Sequence, residues 1–336
     1  MMRLLRGLAG FLPVVVLMAA VRVWAALPPA APDAKPILFV PHWAPQAQFA
    51  GYYVAFEKGF YAARGLNVKI LEGGPTMPSA ALLEKGSVEF ATMFLSTAIV
   101  ERAKGAKLVN IGQIVTGSSQ VLIARRDSGI KTIHDMDGKR VGLWGGELSI
   151  MPKALFKKYG VHVKVVPQSW SVNLFLRGGV DVVSAMLYNE YHTLLQAGVD
   201  SSQLRVFNLS GLGFNVPEDG IYCMEATLKK DPQTCRLFVQ ASLQGWRYAF
   251  AHPRKALDIV MKYVRKAQIA TNRPHQKWML SHMRKVIDLP PPGGCPEQVK
   301  KSDYMAICRE LMRNAMIQRV PTFSNLIRNC AAAHEK

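Results

Sequence analysis

Short apolar runs alternate along most of this chain with stretches whose apolar positions recur at helical spacing. Pro36–Val40 reads as a short strand. Phe49, Tyr52, Tyr53, Phe56 and Phe60 then predict an amphipathic helix over residues 48–63, closed by Gly65. Val68–Leu71 is the next strand, Ser79–Lys85 a short helix stopped by Gly86, Val88–Phe94 a strand, and Ser96 to about Lys104 a helix. Leu108–Val115 and Val121–Ala124 are strands. Val141–Leu143 opens into a Gly-rich turn, followed by a helix over Met151–Tyr159 that Gly160 ends. The alternation continues through Val163–Val166, Val172–Leu176 and Val182–Met186. Beyond about residue 235 the period changes. Val239, Leu243, Trp246 and Phe250 trace one helical stripe, and Pro253 suits the first turn of another helix with Leu257, Val260, Met261 and Val264 inward. After the break at 290–294 a last helix is expected around Tyr304–Ile317. Alternating strands and helices imply α/β layers.

The first residues follow a different rule. Arg3 and Arg6 precede an apolar run from Gly7 to Val21, interrupted only by Pro13, and Val23-Trp24-Ala25 offers small-residue cleavage chemistry. This is the layout of a secretory signal peptide over residues 1–25. The run of 15 residues falls short of the roughly 20 needed to span hydrocarbon. No cysteine precedes Cys223, so no lipid-anchored cysteine stands at the cleavage point. The expectation is an exported, periplasmic protein.

Composition narrows the function class. The 336 residues carry 42 Lys+Arg against 23 Asp+Glu, a formal net charge of +19. The basic residues are scattered rather than clustered, and no zinc-finger or RNA-binding pattern appears, so nucleic acid is not the expected partner. Five cysteines are too few for a disulfide scaffold. Cys223 and Cys235, or Cys295 and Cys308, suit one or two bridges whose connectivity spacing cannot give, with Cys330 left over.

Catalytic templates come up empty. The chain has no G-x-S-x-G, H-E-x-x-H, Walker-type loop or G-x-G-x-x-G. Glu190 and His192, two apart, share one face of a strand if a strand runs there, and His275 and His282 share a helical face. Core or solvated histidines fit that spacing better than ligands do. The residues alone point to a protein that is not an enzyme and holds no metal or cofactor.

Binding is the better-supported class. The segment Trp43-Ala44-Pro45-Gln46-Ala47-Gln48-Phe49-Ala50-Gly51-Tyr52-Tyr53-Val54-Ala55, continuing through Glu57-Lys58-Gly59-Phe60-Tyr61, Gly65-Leu66-Asn67-Val68 and Glu72-Gly73-Gly74-Pro75, resembles the opening of a periplasmic solute-binding family. That family is related to thiamine-pyrimidine synthases and to the formylaminopyrimidine-binding proteins of ABC importers. The stretch from Ile133 to Gly142 is similar to one common across type II solute-binding proteins, and the resemblance runs over residues 37–330. It implies an α/β, two-lobed type II periplasmic binding fold with a cleft between the lobes. Lobe one would comprise 36–118 and 222–336, and lobe two 119–221. It implies a monomer that captures a small aromatic heterocycle, such as a pyrimidine thiamine precursor, and delivers it to an ABC transporter permease. A sulfonate or other anion, a flavin, or a sensor role on the same fold are the alternatives. Eukaryotic synthases of this superfamily carry a Cys-rich motif that has no counterpart here, which sets synthesis aside as the expected activity.

Ligands in open α/β sheets sit at the carboxyl ends of strands, which selects the residues after each one. Trp43 follows the first strand and can stack on a flat ring, and in the resembled pyrimidine binders a Trp of this motif does so. Phe49 and Tyr52 suit either contact or core. Gly74 and Thr76 follow the second strand and can offer backbone donors. Ser96 and Thr97 serve either as helix caps or as site hydroxyls. Ser118 lies at the first crossing between lobes and Tyr222 at the second. In lobe two, Trp144, Gly145 and Gly146 follow a strand and precede a helix N-terminus that favours anions. Tyr188, Asn189 and Glu190 follow the strand Val182–Met186. The resemblance implies a Tyr and a carboxylate there, the acid accepting from ring amino groups.

Overall fold

A computed structural model describes residues 35–74, 77–296 and 299–328; the expected signal peptide, Thr76 and Cys330 lie outside the described residues. The chain opens with β1 (Ile37–Val40), α1 (Ala50–Glu57), β2 (Val68–Ile70), α2 (Ser79–Glu84), β3 (Phe90–Phe94), α3 (Leu95–Lys104) and β4 (Leu108–Gln113). It then crosses to β5 (Gln120–Arg125), β6 (Arg140–Leu143), α4 (Ile150–Tyr159), β7 (Lys164–Pro167), α5 (Asn173–Leu176), β8 (Val182–Met186), α6 (Glu190–Gln196) and β9 (Leu204–Asn208). It returns through β10 (Asp219–Met224) and continues as α7 (Glu225–Lys230), α8 (Pro232–Ala251), α9 (Pro253–Lys266), α10 (Arg273–Val286), α11 (Lys301–Arg313) and α12 (Phe323–Leu326).

The strands form two five-stranded sheets, ordered β2-β1-β3-β10-β4 and β7-β6-β8-β5-β9. The two share one plan. Four strands share one direction, and the fourth position in the order is antiparallel and filled by the chain arriving from the other lobe: β10 against β3 and β4, β5 against β8 and β9. Two lobes built this way are connected twice, between Gln113 and Gln120 and just ahead of Asp219. β10 pairs in the first sheet from Asp219 onward, three residues before the 222 limit expected from sequence.

Local sequence accounts for most of the elements. α1 is shorter than the expected 48–63 helix because Gly59 takes a left-handed φ of 68° and stops it, leaving a separate 3-10 turn at Ala62–Arg64 before Gly65. Nor is α1 amphipathic: every residue from Ala50 to Ala55 is buried, so its aromatic spacing reflects burial on all sides rather than one face. α8 packs across it at a glycine notch. A Cβ on Gly245 would lie 1.9 Å from the Gly51 carbonyl oxygen, and one on Gly51 would strike the Trp246 ring. Around this crossing Tyr61, Phe90 and Phe238 stack nearly parallel, with Phe39 and Tyr52 tilted against them. The second lobe's core of Val121, Ile123, Val183, Leu194 and their neighbours is mainly aliphatic.

Two strands carry no clear alternation in sequence. β9 is an edge strand with two of its five residues exposed, and β10 opens on Asp-Gly, a pair that reads as a turn. Glu190 and His192 lie on helix α6, not on a strand. The expected bridges among the first four cysteines are corrected too: Cys223, Cys235 and Cys308 are buried free thiols, and Cys295 is disulfide-bonded. Among the described residues no helix is long and apolar enough to cross a membrane.

Candidate binding cleft

A cleft of about 470 Å³ lies between the lobes, within the usual range for small-molecule sites. The first lobe contributes the loop after β1. That loop is anchored by side chains from the far helices: Gln276 Oε1 accepts from the Ala47 N–H at 2.6 Å, and the Gln48 N–H meets Met279 Sδ at 3.2 Å. Gly73 is required here, because any Cβ would lie 1.8 Å from the Pro41 carbonyl oxygen. The loop therefore holds His42, Trp43, Gln46 and Gln48 along one wall.

Behind that wall runs a buried polar chain. Gln46 donates to Gln48 Oε1 at 2.6 Å, and Gln48 donates to Asp219 Oδ2 at 2.7 Å. His42 Nδ1 sits 3.0 Å from Thr92 Oγ1 and 3.5 Å from Asp219 Oδ1. That last oxygen is buried without a hydrogen-bond partner. Burial raises the Asp219 carboxyl, opposed by His42 and by the Gln48 hydrogen bond. Its neighbour Glu218 is pushed up to about 8, chiefly by burial. Glu218 Oε1 accepts from the Ser119 N–H at 2.6 Å, so this acid ties together the two chain crossings.

The second lobe supplies Trp144, Trp170, Tyr188, Asn189 and Glu190. Trp144 is fixed by its Nε1, which donates to the Ser169 carbonyl at 3.2 Å. Trp170 reaches over to Trp43, ring centroids 5.4 Å apart, so the lobes meet through indoles at the mouth of the cleft. Glu190 opens α6 and is buried. Its Oε2 accepts from the Met186 N–H at 2.9 Å and its Oε1 from Asn189 Nδ2 at 2.8 Å. These bonds favour the carboxylate, but burial outweighs them and the group is pushed up to about 7. Tyr188 is fully buried beside Glu218, Asp219 and Glu190, and burial first, then those acids, raise its hydroxyl.

Of the residues expected at the site, Trp43, Gly74, Thr97, Trp144, Tyr188, Asn189 and Glu190 face the cleft. The others lie elsewhere. Phe49 is completely buried, edge-on to the His42 ring behind the wall. Tyr52 belongs to the aromatic core under α8. Ser96 is buried at the start of α3. Ser118 donates through its N–H to Asn215 Oδ1 at 2.8 Å within the crossing. Gly145 and Gly146 form an exposed turn, where Gly146 is needed for a φ of 61°. Tyr222 is sealed between β3 and β4 because its side chain points to the sheet's far face. Sequence reasoning missed His42, Gln46, Gln48 and Trp170. Gln46 and Gln48 stand inside the motif already singled out, which yielded Trp43, Phe49 and Tyr52 as candidates, and His42 immediately precedes it. Trp170 follows β7 by three residues and obeyed the same strand-end rule.

The cleft's charge runs against that of the chain. Glu84, Glu101 and Glu190 line it, and among its described lining residues there is no lysine or arginine. No cluster of three or more His, Cys, Asp or Glu suited to a metal occurs among the described residues.

A family model described as NMT1/THI5 like matches residues 46–256. The chain is 25% identical over 265 residues to the riboflavin-binding protein RibY of Chloroflexus aurantiacus, covering 75% of this chain and 73% of that protein. It is also 25% identical over 230 residues to a 4-amino-5-hydroxymethyl-2-methylpyrimidine phosphate synthase of Legionella pneumophila, covering 62% and 67%. Among solved structures it is similar to the periplasmic aliphatic sulphonate binding protein SsuA of Escherichia coli, with a TM-score of 0.69 at 15% identity over 88% of this chain and 92% of that one. The synthase names correct the expectation that the chain is no enzyme: relatives as similar to it as the binding protein is are named for a reaction.

Proposed function

The chain belongs to the NMT1/THI5-like family, and from that membership we propose that it captures a small aromatic heterocycle between its two lobes in the periplasm and hands it to an ABC importer. Lobe one is 36–118 together with the return segment from β10 onward, and lobe two is what lies between. The observation that carries this reading is the wall of the cleft. Three indoles converge there, Trp43 from one lobe and Trp144 and Trp170 from the other, beside carboxyl groups and with no lysine or arginine among the described lining residues. In a chain with 42 Lys+Arg, such a wall disfavours an anion. It suits a flat, uncharged or amino-bearing ring: the faces stack on indole, and Glu190 and Asn189 receive or match polar edges. A sulfonate, which the fold accommodates in similar proteins, would enter next to Glu190 with no lysine or arginine to compensate it. The residues assigned to contact are Trp43, Trp144, Trp170, Tyr188, Asn189 and Glu190.

The second reading is a reaction on such a ring at the same cleft, supported by the names of the synthase relatives. One experiment separates the readings. The protein is stripped of bound solute by refolding and titrated calorimetrically with riboflavin, with 4-amino-5-hydroxymethyl-2-methylpyrimidine and with an alkanesulfonate, and each mixture is then analysed by mass spectrometry. Saturable binding of a heterocycle that is recovered unchanged supports capture. Tighter binding of the sulfonate overturns the proposal, and a changed ring mass moves the assignment to catalysis.

A further inference from the structure

α6 of the second lobe packs on α10 of the first through aromatic rings and hydrogen bonds beside the cleft. Trp278 of α10 lies nearly parallel to His192 of α6, centroids 4.7 Å apart, and to His282 at 4.3 Å. Its Nε1 crosses to the Leu187 carbonyl at 2.9 Å, and Gln196 Nε2 donates across to Asn272 Oδ1 at 3.0 Å. His192 Nδ1 meets His275 Nδ1 at 2.9 Å, and His275 Nε2 meets Asn189 Oδ1 at 2.9 Å. The same Asn189 donates to Glu190.

This chain fixes the protons. An amide oxygen only accepts, so His275 carries its hydrogen on Nε2. The bare Nδ1 of neutral His275 then accepts from His192. A second proton on His275 forces His192 to give up its Nδ1 hydrogen and accept instead, and once both rings are charged one N–H is set against another. We propose that His192, His275, Trp278 and His282 form an acid-released latch between the lobes, and that His275 and Asn189 position the Glu190 carboxyl only while the latch is shut. His275 thus acts as a positioning residue, reaching the cleft through Asn189.

The electrostatics agree in sign. Burial lowers all three histidines; His282 adds to the effect on His192, and on His282 itself the hydrogen bond to the Trp278 carbonyl opposes burial while Lys285 adds to it. Burial first and His192 second bring His275 down to about 4. The other charged groups on the packed elements are Glu190 on α6, reached through Asn189, the exposed Lys277 and Arg284 of α10, and Arg273, which pairs with Asp258 of α9. A group whose pKa is lower latched than free favours release as pH falls. The ratio of closed to open protein should drop by up to about tenfold per pH unit for each proton taken up, between about pH 6.5 and 4.

The latch concerns closure alone, whatever ring the cleft takes, so its test needs no cargo. Small-angle X-ray scattering of the refolded, ligand-free protein is recorded from pH 8 to 4.5, alongside His192→Phe, which keeps a flat ring on Trp278, and His275→Gln, which keeps an amide for Asn189. The wild-type radius of gyration is expected to rise on acidification, and both variants to stay flat. A wild-type profile that ignores pH, or variants that expand as the wild type does, overturns the proposal.

Discussion

The two lobes repeat one strand plan but hold their cleft walls by different means. In the first, α1 and α8 touch backbone to backbone, and a layer of stacked aromatic rings fills the space beneath β1 and β3. In the second, an aliphatic core supports a sheet whose site residues sit on loops at strand ends. The first wall is therefore rigid and intolerant of added volume, and the second can yield. Glycine substitutions test this most severely. Gly245→Val drives a side chain into the Gly51 carbonyl, with no flexible neighbour to give way, and is expected to cost more than about 4 kcal/mol, enough to leave the first lobe unfolded. Gly142→Ala in β6 meets the Gln168 side chain 3.0 Å away and Val180 methyls at ordinary contact distance, and should cost about 1 kcal/mol or less. Chemical denaturation of both variants, followed by circular dichroism, reads the difference. Similar losses would mean that the lobes are equally tight.

The next largest effect is expected in the second lobe's carboxyl. Glu190 is protonated more readily in the folded chain, at about 7, than at its ordinary value of 4.5. The folded state thus holds the extra proton between those values, and stability falls as pH rises through that window, by about 3 kcal/mol in all. Glu218, raised to about 8 at the crossings, adds to the fall in the same direction. Glu190→Gln is expected to flatten part of the decline in melting temperature between pH 5 and 8 while leaving the Glu218 share. An unchanged slope would show that the Glu190 carboxylate is better solvated than its burial implies.

The same contrast explains what could be read from sequence. Parallel strands with apolar runs, such as β3 and β8, announce themselves, and so do helices stopped by left-handed glycines at Gly86, Gly105 and Gly160. β10 is illegible because tertiary packing sets its Asp-Gly start: Asp219 is buried behind the cleft with Gln48 donating to it, and a Cβ on Gly220 would press on Asn110 and Gln113. The strand-end rule led to Trp43, Trp144 and Glu190, since position after a strand is a local property. It could not separate Phe49 or Tyr222, which point into the core, from residues that point into the cleft. That choice depends on which sheet face a helix covers. Nor could it find the His192–His275 contact, because residues 83 apart meet only when α6 and α10 pack together.

The smallest effects lie at the mouth of the cleft, where the two walls contribute comparable side chains. Trp43 stands on the anchored loop and is half-buried, so Trp43→Ala removes a ring already held in place and should weaken heterocycle binding by about 1–3 kcal/mol. Trp170 is 59% exposed. Much of its apolar surface stays wet, and ordering it on a ligand costs side-chain entropy, so Trp170→Ala should lose less than about 1 kcal/mol. Calorimetric titration of both variants with the heterocycle that binds the wild type measures the ratio. Equal losses would place the ring squarely between the two indoles, with both walls equally rigid in the complex. A larger loss at Trp170 would reverse the comparison and make the second lobe the one that selects the ligand.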